Sequence, residues 1–209
     1  KGKHVYPGFI AVSASLGLAE VDAVKASRDF DETGTMIPHI RSLIAYNAES
    51  KVVESVRLSG VLTAEVAPRG GTISGTSSVM QMDAWNWEDA VIKEDNGIHM
   101  NWPASLTSGR WWLGEDPALK ASTTYKKSIQ DIHDYFADAK RYLAGNKAIE
   151  NIPFEATKGL FNGSQKLFLH VSGHKEIADA VNMAKSLGIN SIAIVHGQDG
   201  QRNYCCYWY

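Results

Sequence analysis

The C-terminal third of the chain contains the feature that most limits its possible folds. KLFLHV (166–171) is a short apolar run, HKEIADAVNMAKSLG (174–188) repeats apolar residues at helical spacing, and INSIAIVHG (189–197) is a second apolar run. This order predicts a strand, a helix and a strand within about 30 residues, the usual length of a βαβ unit. Such units are parallel and right-handed, so the chain is predicted to form a parallel α/β sheet.

The first half of the chain repeats the alternation. KVVESVRLSG (51–60) is typical of a short amphipathic helix ended by a glycine, and VLTAEVAP (61–68) of a strand stopped by a proline. VYPGFI (5–10) is predicted as an earlier strand, and TTYKKSIQDIHDYFADAKRYL (123–143) as the longest amphipathic helix. We therefore expect one α/β domain over residues 1–209.

The middle of the chain is predicted to be an irregular loop region, residues 67–123, rich in glycine and tryptophan. PRGGTISGTSS could hold an anion with its backbone N–H groups, but it matches neither the Walker pattern nor the dinucleotide fingerprint. It is better interpreted as a loop over the mouth of a barrel. Five of the six tryptophans lie between residues 85 and 112. They form either a structural cluster or a wall of a substrate site.

Composition argues against several classes of function. The formal net charge is −2 and 21% of the residues are charged, which argues against a dedicated nucleic-acid or membrane-surface protein. The chain starts at KGKHVYPGF without Met, so we expect that earlier sequence is missing. The adjacent Cys205 and Cys206 indicate no disulfide framework. The tail 198–209 is a strand extension, an interface or foreign sequence.

Histidines are the candidate site residues, because parallel α/β folds place active sites at the C-terminal ends of their strands. His170 and His196 end two neighbouring predicted strands, where imidazoles can bind a metal or act as a general base. The alternative is that each is a half-buried histidine bonded to a loop carbonyl. His99 and Trp102, in the irregular region, are predicted to contact substrate, with packing as their alternative role.

Three segments resemble the amidohydrolase superfamily. GKHVYPGFI resembles the start of its barrel, especially in the imidazolonepropionase-like branch, which usually has GKxVxPGFIDxHxH at this point. LFLHVSGHKEIADAVNMAKSLGINSIAIVHG is similar to the fifth strand, the following helix and the sixth strand of that branch. GVLTAEVAPRGGTISGTSSVMQMDAWNWEDA resembles a group of bacterial amidohydrolase-like proteins.

The resemblance implies a (β/α)8 TIM-type barrel, of which this chain would supply about six of the eight strands and be incomplete at both ends. It implies hydrolysis of a non-peptide C–N bond with zinc or another divalent metal. His170 then corresponds to a metal ligand, and His196 to a ligand and catalytic residue. The usual first-strand histidines correspond to Ser13 and Ser15, which are poor zinc ligands, and no other cofactor is implied.

Two main functions are compatible with these residues. The first is an amidohydrolase acting on a small-molecule amide or cyclic amide. The second is a non-catalytic barrel that binds a ligand or acts as a partner subunit, as a homo-oligomer or with a homologous chain. A third, a sugar or phosphate barrel enzyme, requires the resemblance to be accidental. The resemblance to exported bacterial proteins favours the periplasm over the cytoplasm.

Overall fold

Six strands form one curled sheet in the computed structural model, which describes residues 2–145 and 149–198. The described residues contain eight strands in all, namely β1 (Phe9–Ala14), β2 (Val61–Val66), β3 (Ile73–Gln81), β4 (Val91–Asn101), β5 (Leu106–Thr107), β6 (Lys120–Ala121), β7 (Lys166–His170) and β8 (Ile192–Val195). The sheet order is β1-β2-β3-β4-β7-β8, while β5 and β6 pair separately. Only β3 runs antiparallel to its neighbours, so five strands of this sheet point the same way. The sheet is compatible with part of a barrel.

The helices agree with the periodicity of the sequence where that periodicity is long. They are α1 (Lys51–Leu58), α2 (Trp87–Ala90), α3 (Tyr125–Ala144), α4 (Ile152–Ala156), α5 (Lys158–Asn162) and α6 (His174–Ser186). The predictions for α1, α3 and α6 are confirmed within a few residues. None of the helices described has the length and apolar character needed to cross a bilayer.

The βαβ unit predicted at the C-terminus is present. Strands β7 and β8 are parallel neighbours joined by α6, whose predicted inward residues Ile177, Val181 and Ala184 are buried. Strand β4 adds to the other side of β7 in the same direction, with an unbroken register from Gly97 to Asn101. The C-terminal ends of β4, β7 and β8 therefore lie at one edge of the sheet.

Residues 67–123 are not irregular throughout, so that prediction is wrong for β3 and β4. ISGTSSVMQ reads as a loop because of its serines, threonine and glycine, yet most of its residues are buried. Its hydroxyls have partners: Thr76 Oγ1 donates to Pro38 O at 2.7 Å, and Ser77 Oγ donates to Glu65 Oε1 at 3.1 Å. Satisfied hydroxyls can be buried at little cost, and these partners lie far away in the sequence.

The end of β1 departs from the regular alternation expected for Ser13 and Ser15. Four residues of β1, from Ala11 to Ala14, span only three of β2, from Ala64 to Val66, so the register shifts between them. Ser13 itself has φ 52°, in the left-handed region. An extra residue of this kind is a β-bulge, which interrupts the rule that alternate side chains share a face. The spacing of these two serines therefore does not reproduce a regular strand pair.

Candidate functional site

The His170 ring contacts two other histidine rings, His99 and His196, across the C-terminal ends of β4, β7 and β8. His99 Nδ1 lies 2.8 Å from His170 Nε2, within hydrogen-bonding distance. The ring centroid of His170 lies 5.1 Å from that of His99 and 5.6 Å from that of His196. We call His99, His170 and His196 the histidine row. The structure thus brings together the two histidines expected at strand ends and a third from the region predicted to be irregular.

The sheet register explains this arrangement. Asn101 pairs with His170, and His170 pairs with Val195, the residue before His196. His99 pairs with Phe168, and their rings stack at 4.6 Å with an angle of 6° between planes. Since alternate residues of a strand share a face, His99 and His170 project to the same side of the sheet.

A glycine makes room for the ring on which His99 stacks. A Cβ atom at Gly97 would lie 2.5 Å from both Phe168 Cε2 and Lys166 O. Any side chain at this position would therefore push against the Phe168 ring and the backbone of β7. The stacking of His99 on Phe168 depends on this close approach of β4 and β7.

Burial keeps the inner two histidines neutral. Burial, with a smaller effect from His170, lowers the pKa of His99 to about 3. Burial, followed by His196 and Arg69, lowers the pKa of His170 to about 4. At neutral pH the 2.8 Å contact is therefore a hydrogen bond between two neutral imidazoles, one donating and the other accepting. His99 Nε2 is buried and has no hydrogen-bond partner among the described residues.

His196 is the accessible member of the row. Its residue is exposed, whereas His99 has no exposed surface. Its φ of 67° lies in the left-handed region, which is uncommon for residues other than glycine and is often found at functional sites. The chain leaves the regular strand geometry of β8 at this residue. Of the three rings, that of His196 can meet a substrate from solvent without rearrangement.

Trp102 has a packing role in this structure. It is 8% exposed, and its Nε1 donates a hydrogen bond to Tyr125 Oη at 3.2 Å. Tyr125 Oη in turn donates to Asp179 Oδ2 at 2.8 Å. These contacts join the segment after β4 to α3 and α6. Substrate contact by Trp102, and likewise by the fully buried His99, stays a prediction.

The donor set of this edge does not make a complete metal centre. Imidazoles suit zinc, but a catalytic zinc normally has three protein ligands. Among residues 2–145 and 149–198, no group of three His, Cys, Asp or Glu side chains is placed to hold a metal ion. In addition, Nε2 of His170 already bonds to His99. The cysteines Cys205 and Cys206, like nearly all of the tail 198–209, lie outside the described residues.

Sequence reasoning missed Arg69, Asn101 and Phe168, which surround the histidine row. Arg69 lies three residues after the end of β2, and His196 lies directly after the end of β8. The same rule about strand ends could have identified it. Asn101 and Phe168 required the pairing of β4 with β7, which no local pattern showed.

The fold is similar to that of a solved structure. An amidohydrolase from Thermotoga maritima MSB8 superimposes with a TM-score of 0.77 and is 21% identical, over 94% of this chain and 53% of that one. The chain thus spans about half the length of this structure. At this identity the likeness shows a shared fold. No family model and no curated protein matches the chain.

Proposed function

We propose that this protein is a hydrolase of a non-peptide C–N bond in a small-molecule amide or cyclic amide, acting at the histidine row. The observation that carries the proposal is the contact of three imidazoles at the ends of three adjacent parallel strands. Active sites of α/β folds lie at this edge. The similarity of the fold to that of an amidohydrolase supports the same conclusion. Membership of the imidazolonepropionase-like branch and a complete (β/α)8 barrel belong to this proposal.

The reaction requires two proton movements. The oxygen of water bonds to the acyl carbon, the C–N bond breaks, and the leaving nitrogen gains a proton. The exposed His196 imidazole accepts the proton of the attacking water and returns it to the leaving nitrogen. His170 is held by the buried His99 ring, so its orientation beside His196 is fixed. A neutral His170 places no positive charge beside the imidazole that must accept a proton.

A divalent metal would need a ligand from outside residues 2–145 and 149–198, because no group of three ligand side chains is placed to hold one within them. His170 and His196 would be two of its ligands. A bound metal lowers the pKa of water and polarises a carbonyl. Elemental analysis of protein purified without chelator tests this point. About one zinc per chain, lost in His170→Ala, would support a metal centre, and metal-free protein with hydrolase activity would exclude a metal requirement.

The hydrolase proposal is tested with His196→Gln. We expect this change to lower kcat/KM for N-acyl amino acids or cyclic amides by about 100-fold or more, the usual contribution of a general acid–base group. The matched control is His133→Gln, on the exposed face of α3, where the side chain is 42% exposed. Activity in His133→Gln should equal that of the unchanged protein. Equal activity of His196→Gln and the unchanged protein would contradict the role of the row.

A second candidate is a non-catalytic barrel that binds an amide ligand or a partner subunit, including another copy of the chain. The observation that favours it is the bond between His99 and His170, which occupies a ring nitrogen that a metal ligand would otherwise offer. Binding of an amide to the unchanged protein without turnover would select this candidate. A periplasmic location rests on the resemblance in both cases.

A further inference from the structure

Arg69 lies at the same edge of the sheet as the histidine row. It follows β2, which runs in the same direction as β4, β7 and β8. Its backbone N–H donates to Phe30 O at 2.6 Å, and its guanidinium lies 5.8 Å from the centroid of the Phe30 ring. The backbone and the charged group of Arg69 are therefore both held by one neighbouring segment.

The turn that follows Arg69 is hydrogen-bonded to Asn101, the neighbour of His170 in the sheet. Asn101, which pairs with His170 in the sheet, donates from Nδ2 to Gly70 O at 3.3 Å and to Gly71 O at 2.9 Å. Its backbone N–H donates to Thr72 O at 2.8 Å. The residue beside His170 thus holds this turn at three points.

Close packing keeps the turn in place. Gly70 and Gly71 have φ values of 86° and 58°, which favour glycine. A Cβ atom at Gly71 would lie 2.9 Å from Gly34 O, so no side chain fits there. The charge of Arg69 reaches the row, because it is one of the groups that lower the pKa of His170.

Arg69 differs from most other arginines of the described residues because none of those residues forms an ion pair with it. Arg41, Arg57, Arg110 and Arg141 each form an ion pair with a carboxylate. Arg69 is exposed and forms no ion pair with any described residue, although Asp31 lies beside its turn. The guanidinium lies over the Phe30 ring, and no described residue accepts a hydrogen bond from its N–H groups, which leaves them for another partner.

We propose that Arg69 binds a carboxylate of the substrate, so that the amides accepted at the histidine row are acidic ones such as N-acyl amino acids. The planar guanidinium matches a carboxylate through two parallel N–H···O bonds, and its position is set before the ligand arrives. This inference rests on the proposed function, because the ligand is a substrate only if the protein is a hydrolase. The binding of a carboxylate by Arg69 can be tested without catalysis.

The test compares two probes that differ in one charge. Acetylglycine has an amide and a carboxylate, and N-acetylglycinamide has the amide without the carboxylate. Calorimetric titration of the full chain should show acetylglycine binding about tenfold tighter or more. Arg69→Gln should abolish this preference, and Arg69→Lys should retain only part of it. Arg28→Gln is the matched control, since Arg28 stacks on the same Phe30 ring at 5.7 Å. This variant should keep the preference.

Each result separates the two proposals. If acetylglycine binds through Arg69 but is never hydrolysed, the carboxylate site is supported and the hydrolase proposal is contradicted. If Arg69→Gln and the unchanged protein hydrolyse acetylglycine with equal kcat/KM, the hydrolase proposal is supported and the carboxylate site is contradicted. No binding of acetylglycine, or an equal preference in Arg69→Gln, would overturn the carboxylate site. Tighter binding of inorganic phosphate than of acetylglycine would also overturn it. Melting curves of the variants show whether each remains folded.

Discussion

The two hydrophobic cores of the molecule are built in different ways. The C-terminal core lies between β4, β7 and helices α3, α5 and α6, and includes Ile98, Phe136, Leu169 and Ile177. The N-terminal core lies against β2 and β3 and includes Leu43, Val53 and Met80, with α1 as its longest covering helix. Around the first, β4 and β7 pair without a register shift, whereas β1–β2 and β3–β4 both contain shifts.

A group of buried polar side chains lies on β2, β3 and β4, where the strand pairing contains register shifts. Glu65 on β2, Ser77 on β3 and Asn96 on β4 are buried, and the Glu65 carboxylate accepts hydrogen bonds from the other two. The regular ladder of the other side supports the histidine row instead. We conclude that regular parallel strands place the imidazoles, while the irregular strands hold buried polar contacts and lead to Arg69.

At neutral pH, the largest expected effect is the loss of a core side chain. Phe136→Ala, in the C-terminal core, should lower the free energy of unfolding by about 3–5 kcal/mol, because it leaves a cavity in a fully buried site. Met80→Ala, in the N-terminal core, should cost about 2–5 kcal/mol. Because β3 and β4 join both cores in one sheet, each variant should melt in a single transition. Separate transitions in calorimetry would show that the cores unfold independently. Trp112→Ala, at a side chain 65% exposed, is the control.

The second effect concerns the buried carboxylate of the irregular side. Glu65→Ala should cost about 2–3 kcal/mol in chemical denaturation, because the buried amide of Asn96 loses its acceptor at 2.7 Å. Glu65→Gln keeps an oxygen at this position and should cost about 1 kcal/mol. An equal cost for both variants would show that packing, rather than the hydrogen bond, explains the burial of Glu65.

The third effect is a loss of stability in acid that comes from His99 and His170, on the regularly paired strands β4 and β7. Imidazoles of the unfolded chain take up protons near pH 6.5, whereas His99 and His170 resist protonation until about pH 3 and about pH 4. The unfolded state therefore binds more protons as the pH falls, and stability should decrease below pH 6.5 by up to about 1.4 kcal/mol per pH unit for each histidine.

Denaturant midpoints measured at several pH values check this expectation. His99→Phe removes one of the two resisting imidazoles, so its stability should depend less steeply on pH. Trp112→Phe, which changes an exposed side chain without a titratable group, should keep the original slope. An unchanged slope in His99→Phe would show that the acid sensitivity has another origin.

The smallest effect concerns the cover of the N-terminal core. Ser50 Oγ accepts a hydrogen bond from Val52 N–H at the start of α1. Ser50→Ala should therefore cost about 1 kcal/mol, and Ser50→Asp, which keeps an acceptor, much less. Thermal melting of both variants measures the difference. A cost for Ser50→Asp as large as for Ser50→Ala would mean that the buried site accepts only serine.

The candidate site was predictable from the sequence where the pattern is local. His170 and His196 could be placed on neighbouring strands, because a βαβ unit fixes the direction and edge of both strands. The sequence around His99 predicts a loop, because the polar runs on either side of it have no strand periodicity. Arg69 had no local sign of its link to His170, which passes through Asn101 and a turn closed by distant contacts.

Local sequence patterns predict the α/β class, the helices α3 and α6, and the two histidines at the strand ends, but the sheet is mixed rather than wholly parallel. Each follows from apolar spacing over a few turns or a few alternating residues, which is a property of the local chain. Only the three-dimensional structure shows that β3 runs antiparallel, that the second half of β4 is buried, and that His99 lies against His170. These results depend on hydrogen bonds between residues far apart in the chain, which make a polar segment stable in the interior.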